Sequence, residues 1–424
     1  MIVFVINKHG EALMPCSNRK ARILLRDKRA KIVSYKPFTI QLLYGSTGYT
    51  QETNLGIDTG SKHIGFAITS QDKVLLKGVI ELRDDVTTLL QTRKVMRRAR
   101  RNKKRYRPAR FLNRKRKEGW LPPSVQSKVN NTINWITKLS KLVPNCKINI
   151  EVGKFNIQKA INPNIEGKEY QQGNLAEYDN MKAFILYREQ GKCQLCGKEY
   201  NGDKWNLHHI RQRKDGGSNS QSNLALLHEK CHKELHKKGL KLKKNKQYKD
   251  MSIMNIIRQR MFNAFPNSNF TYGCYTQRKR IELDLNKQHY NDAIVISGIN
   301  KIKSNMDFIT YIKQFRKKKR SLHEATARKG KKIKNIAQKR NSKNTKSSNG
   351  FFLNDCVKLF DKIGFVSGFT SGGCYVKDIF NNYITIVGKS YKQIGFSNLE
   401  KIYNNNNWQF ISHLKERDFL PNKG

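Results

Sequence analysis

The sequence predicts a multidomain α/β protein, and three observations carry that expectation. The chain has 424 residues, more than one hydrophobic core usually organises. Short apolar runs of strand character alternate with segments of helical spacing along most of its length. A block rich in cysteine and histidine interrupts that alternation near the middle, as a small metal-held module inserted into a larger one would.

In chain order, residues 1–50 hold the runs "IVFVI", "AKIVSY" and "FTIQLL" around one helical segment, "SNRKARILLRDKR", so a small N-terminal α+β unit is expected. Residues 51–90 contain "NLGIDTGSKHIGFAIT", which reads as strand, glycine-containing turn, strand. Residues 91–120 are expected to form an arginine-rich helix; positions 93–118 carry 15 Lys or Arg and one acid. Such a helix has little apolar face to bury, and its like charges repel unless an anion lies along them. Residues 121–160 should form an amphipathic helix over about 125–142 and a buried strand, "CKINIEV". The histidine-rich block lies within 161–250. Residues 251–312 pass from helix to strand again and include "LNKQHYNDAIVISGINKI", with helical spacing. A basic linker, 313–349, is expected to be ordered by its partner; 15 Lys or Arg between 313 and 346 face one acid, Glu324. Residues 350–424 are strand-like with glycine turns and suggest a small β-barrel.

Charge narrows the partner. With 84 Lys+Arg against 32 Asp+Glu, the formal net charge is +52. That imbalance implies a polyanion, and nucleic acid is the obvious one. No 18-residue apolar run or amphipathic anchor points to a membrane. The opening "MIVFVINKHG" lacks the charged head and long apolar core of a signal peptide, so a cytoplasmic protein is expected. The eight cysteines then suit metal ligation or core packing better than disulfides.

Cys193-x-x-Cys196 and His228-x-x-Cys231 are two short knuckles that can close a tetrahedron around Zn²⁺, with Gly197 after the first. His232 is the alternative fourth ligand. Four protein ligands leave no open position, so this zinc is expected to be structural. His208, His209, Asn223, His232 and His236 are left over. On a strand, His208 and His209 point to opposite faces; on a helix, His232 and His236 face the same way.

Three acids stand in hydrophobic settings where an unpaired charge is costly: Asp58 at a strand end, Glu151 in an apolar strand, and Asp292 one helical turn after His289. Such a set can hold two Mg²⁺, or Mn²⁺, about 3.5–4 Å apart on a phosphodiester.

The stretch "HHI…GGSNSQSNLALLHEKCHKELH" resembles the HNH nuclease family, a ββα-metal finger. The resemblance implies that His209 is the general base and that His208 coordinates a divalent metal. It implies that His232 completes that metal site, with His236 a further candidate, and that Asn223 orients the base or joins the metal shell. The acid motifs resemble a RuvC nuclease of the RNase H-like fold, whose core would here be split by the arginine-rich bridge helix and the inserted HNH block. With "EALMPCSNRKARILL", the whole is similar to the IscB family of transposon-encoded, RNA-guided nucleases. Ala12 stands where that family usually has the first proline of Pro-Leu-Met-Pro. RuvC would thus comprise 51–90, 121–160 and 251–312, and 350–424 would hold RNA or read a motif flanking the target. The implied activity is RNA-guided cleavage of double-stranded DNA by a monomer. A guide RNA would lie on Arg97, Arg98, Arg100, Arg101, Arg105 and Arg107, HNH would cut the guide-paired strand, and RuvC the displaced one. The alternatives are a protein-only endonuclease and a non-catalytic RNA-binding protein.

Overall fold

The computed structural model describes residues 2–45, 48, 50–86, 89–90, 93, 95, 97, 119–155, 180–199, 204–212, 221–240, 242, 249–315, 347–386, 388, 391–405 and 407–415. Arg98, Arg100, Arg101, Arg105, Arg107, most of the basic linker and the glycine-rich stretch 213–220 lie outside the described residues. Arg97 is described and exposed. The chain forms two compact units: Met1–Thr88 with Val95–Lys154 and Ile256–Gly424, and Leu89–Lys94 with Phe155–Asn255.

The first unit opens with β1 (Ile2–Ile6), β2 (Ala12–Ser17), α1 (Asn18–Arg26), β3 (Ala30–Tyr35) and β4 (Phe38–Leu42). Ser17 caps α1 by accepting from the Lys20 amide. The strands order as β2-β1-β4-β3, and Val3, Val5, Leu24 and Ile40 form the core beneath α1. Next come β5 (Thr53–Asp58), β6 (His63–Ser70), β7 (Lys73–Glu81), α2 (Pro123–Ser140) and β8 (Cys146–Glu151).

The second unit contributes α3 (Met181–Arg188), β9 (Trp205–His209), β10 (Leu224–His228) and α4 (Glu229–Lys238). Helix α5 (Lys249–Ala264) leads back to the first unit, which continues with β11 (Asn269–Thr271), α6 (Gly273–Glu282), α7 (His289–Ile296) and β12 (Phe308–Gln314). The C-terminal part holds β13 (Ser347–Ser348), β14 (Phe351–Phe352), β15 (Cys356–Leu359), β16 (Lys362–Phe369), β17 (Cys374–Lys377), β18 (Glu400–Tyr403) and β19 (Trp408–Lys415).

The framework of the first unit is a mixed seven-stranded sheet, β11-β8-β5-β6-β7-β12-β19. Its central strands are apolar on both faces, with Leu55, Ile57, Ile64, Phe66, Ile68 and Ile80 buried on one and Ala67 and Val79 on the other. Helix α7 packs on β5, β6 and β7, and α2 on β5 and β8. β5 and β8 run parallel and end together, so Asp58 pairs directly with Glu151. The two strands need no turn between them because a long connection containing α2 joins them.

Two glycines set the seat of α7. A Cβ on Gly56 would stand 2.0 Å from the Ala293 carbonyl oxygen, and one on Gly65 would stand 1.9 Å from that of His289. Gly65 is also the antiparallel partner of Asp58. Only a bare backbone at these positions lets α7 lie this close to the strands.

Two expectations change in detail. The helical spacing over 285–302 yields a shorter helix, His289–Ile296, which starts after extended Gln288 and ends before Gly298 at φ +86°. The tail divides among three sheets, the smallest being the β13–β14 pair. Strands β17-β16-β15-β18 form an antiparallel sheet of their own, whereas β19 pairs with β12 at the edge of the main sheet. An apolar strand such as "FITYI" leaves a sticky edge when unpaired; β19 covers it, and Ile411 and Leu414 pack with Ile309 and Tyr311.

The close seat of α7 makes a prediction. Gly65→Ala should lower the unfolding free energy by at least about 1–3 kcal/mol, because the clash is with backbone that cannot rotate away. Gly45→Ala, where a Cβ meets nothing within 4 Å, should change it little. Urea denaturation midpoints of the two variants provide the comparison.

Candidate functional site

The second unit is built on the β9–β10 hairpin. Opposed residues of an antiparallel pair share a face. Leu207 faces Leu226 and His209 faces Leu224, while His208 faces Ala225 and Asn206 faces Leu227. Leu207, Leu224 and Leu226 pack with Ile185 of α3, and Leu227 packs with Leu235 of α4. The hairpin is thus covered on both sides, and the alternation sends buried His208 toward α4.

There His208 meets His232 and His236, whose ring nitrogens and its own all lie within 4.8 Å of one another. The Nε2 atoms of His232 and His236 are 3.2 Å apart. Two nitrogens about 2.0–2.1 Å from one ion would show roughly that separation. Burial, reinforced by His232 and His236, pulls His208 down to about 4, and burial likewise lowers His232. Both therefore offer a free lone pair at neutral pH, which is the state a metal needs. His209 stands at the end of β9 on the opposite face, partly exposed.

Buried Asn223 shapes the end of that strand. Its Oδ1 accepts from the Arg211 amide at 2.8 Å and its Nδ2 donates to the Arg211 carbonyl at 3.1 Å. Its own carbonyl accepts from the Ile210 amide at 2.9 Å. Arg188 at the end of α3 holds the other side of the turn, donating to the carbonyls of Gln221 and Leu224 at 2.7 and 2.8 Å. Glu189 accepts from the Leu226 amide at 2.7 Å.

A second group of donors, Cys193, Cys196, His228 and Cys231, also converges within 4.8 Å. Gly197, at φ +71°, turns the knuckle and donates its amide to the Cys193 carbonyl at 2.8 Å. His228 Nε2 lies 3.1 Å from the Glu199 carbonyl oxygen, so it carries the proton and leaves Nδ1, 3.5 Å from Cys196 Sγ, free to ligate. Trp205 stacks on the ring at 4.5 Å. This Cys₃His set fits Zn²⁺. His228 sits with the thiols and His232 with the other histidines, so each knuckle residue has one place.

The first unit gathers the acids. Asp58 and Glu151 stand side by side at the carboxyl ends of β5 and β8, and α7 brings His289 and Asp292 over them. Each has its own partner. His289 Nδ1 lies 2.6 Å from Asp58 Oδ2, Thr276 Oγ1 donates to Glu151, and Arg280 Nε approaches Asp292 Oδ1 to 2.8 Å. Thr59 Oγ1 donates to the Glu151 carbonyl at 2.7 Å, tying the strand ends together. Burial pushes Glu151 up to about 7, assisted by the negative charges of Asp58 and Asp292 and opposed by the Thr276 hydroxyl. Burial and Asp58 also raise Asp292, and the bond to Asp58 raises His289. Carboxylates that are this costly to ionise fit a divalent oxygen-bound cation. Thr276, Arg280, Arg188 and Glu189 carry no motif of their own, and Thr59 lay unremarked inside the stretch quoted around Asp58; only the fold assigns them here. His63, stacked on His289 with centroids 5.6 Å apart, lay inside a quoted motif without being singled out.

Comparison with known families agrees with the second unit's geometry. Residues 193–238 match the HNH endonuclease family and thus define a nuclease domain that supports phosphodiester hydrolysis. Residues 3–173 match the family described as RRXRR protein; positions 97–101 read Arg-Arg-Ala-Arg-Arg. The two domains in one chain are consistent with a nuclease of the IscB or Cas9 type and suggest nucleic-acid binding. No curated protein matches the chain. Among the described residues, no helix is long and apolar enough to cross a membrane.

Two measurements follow from this geometry. Purified protein should hold about one equivalent of zinc by elemental analysis, and Cys196→Ser should lose it and lower the melting temperature of the second unit. Retention of full zinc in that variant would rule out the Cys₃His assignment. The second concerns Glu151. Its folded-state value is raised from 4.5 to about 7, so between those values the folded chain holds the proton that the unfolded chain releases. In divalent-free buffer its ionisation therefore lowers stability as pH rises through that window, by at most about 3 kcal/mol. Glu151→Gln should melt higher than the unmodified chain above pH 7 and lose that advantage near pH 4.5. Parallel melting curves for the two chains across pH supply the test.

Proposed function

We propose that the chain is an RNA-guided DNA endonuclease with two cutting centres. The carrying observation is that one very basic chain holds an HNH-matching hairpin and helix and, separately, three carboxylates at the mouth of a mixed sheet. The sheet with Asp58, Glu151 and Asp292 supports a RuvC-type centre of RNase H-like fold. The charge of +52 supports a nucleic-acid partner extensive enough to serve as guide, with the arginines of 97–107 along its phosphates. The C-terminal sheet would contact that RNA or the duplex flanking the target.

In the HNH centre, His209 would take a proton from the attacking water while Asn223 holds the strand end that carries it. His208, His232 and His236 would hold a divalent ion. In the other centre, Asp58, Glu151 and Asp292 would hold the ions and His289, anchored on Asp58, would handle the proton. Magnesium or manganese bound at these places would stabilise the extra charge on the phosphate.

Division of labour between the centres gives the test. With a guide RNA and Mg²⁺, His209→Ala should nick only the displaced strand and Asp58→Ala only the guide-paired strand. Each variant should lose at least about 100-fold on its own strand. The double variant should bind target without cutting, because pairing and phosphate contacts supply binding. A plasmid or duplex with each strand labelled separately reads all three. Cleavage of both strands by His209→Ala, or of neither by Asp58→Ala with binding intact, would sink the proposal.

A further inference from the structure

Helix α6 faces the acids with two residues one turn apart. Thr276 donates to Glu151, and four positions on, Arg280 reaches Asp292. The second contact is unusual. The Arg280 and Asp292 side chains are only 13% and 18% exposed and their atoms stand 2.8 Å apart. Yet neither Arg280 Nε nor Asp292 Oδ1 forms a hydrogen bond, although both atoms are buried. Charge holds them together without a directed bond. Asp292 Oδ1 thus keeps a buried lone pair with no hydrogen-bond donor.

Arg280 has a second anchor, since its Nη1 donates to the Leu285 carbonyl at 3.4 Å. Its head can leave Asp292 without the side chain losing its place. A divalent cation held by Asp58, Glu151 and Asp292 would share the Asp292 carboxylate with this guanidinium, in a site of low dielectric where like charges repel strongly.

We propose that Arg280 is a resident counter-cation of the acid site. It neutralises Asp292 while no divalent ion is bound, withdraws toward Leu285 when one binds, and so sets the affinity of the site for that ion. The inference rests on the metal-dependent reading of the acids given above. It makes Arg280 a positioning residue that acts through Asp292.

The test is Mn²⁺ binding to the full chain, followed by electron paramagnetic resonance in a His232→Ala background that silences the histidine group. Arg280→Gln should bind Mn²⁺ more tightly, by roughly tenfold, because the competing charge is gone. Arg280→Lys keeps the charge and should bind close to the unmodified affinity. Equal or weaker binding by Arg280→Gln overturns the proposal. A measurement on the unmutated arginine guards against a variant that fails to fold. Phenylglyoxal modification of Arg280, quantified by peptide mass spectrometry, should rise several-fold when Mn²⁺ is added. No rise overturns the proposal as well. Asp58→Asn separates the two levels: if it binds Mn²⁺ as tightly as the parent chain, the acids are no metal site and the reading beneath fails instead.

Discussion

The first unit depends on how closely α7 can approach the sheet. Gly56 and Gly65 remove the two Cβ atoms that would collide with the Ala293 and His289 carbonyls. The helix therefore rests directly on backbone, and its first turn arrives over the strand ends where Asp58 and Glu151 stand. With an ordinary side chain at either position the helix would have to move outward, and His289 would lose the 2.6 Å contact with Asp58. A packing constraint thus sets the electrostatics. Three acids are forced into a partly desolvated space, and each finds a different partner: imidazole, hydroxyl and guanidinium.

The second unit solves a different problem. Its hairpin and two helices offer a small apolar core, divided into a cluster around Ile185 and another around Leu227 and Leu235. Small modules of this kind gain much from a structural metal. The Cys₃His group joins the knuckle after α3 to the start of α4, so it fixes the helix that carries His232 and His236. On the proposed reading one donor set would hold the fold while the other, on the same helix, would be left to chemistry. The burial that lowers His208 keeps it neutral, the form that can ligate.

Both sites treat charge in the same way. Groups that are uncomfortable alone are placed together: protonation-averse imidazoles in one unit, ionisation-averse carboxylates in the other. A bound cation would relieve the second directly and would use the ring nitrogens of the first. The densest positive charge of the chain lies elsewhere in the sequence, in 93–118 and 313–346, and such charge repels itself until a polyanion is present.

Much of this was legible in the sequence because it is local. Strand alternation, the spacing of Cys193-x-x-Cys196 and His228-x-x-Cys231, and the opposite faces of His208 and His209 all follow from short-range geometry. Asp58, Glu151 and Asp292 were recognisable as acids in apolar surroundings. The partners of those acids were not. Thr276 and Arg280 lie 125 and 12 residues from the groups they touch, in a helix with no motif, and nothing local says which way that helix faces. The seat of α7 on two glycines, the departure of β19 from the tail to the edge of the main sheet, and the assignment of His228 to the thiols and His232 to the histidines likewise required the fold. Residue spacing determines which side chains one element presents together. Only tertiary packing decides which elements meet, because that choice is made by shape and buried area summed over distant parts of the chain.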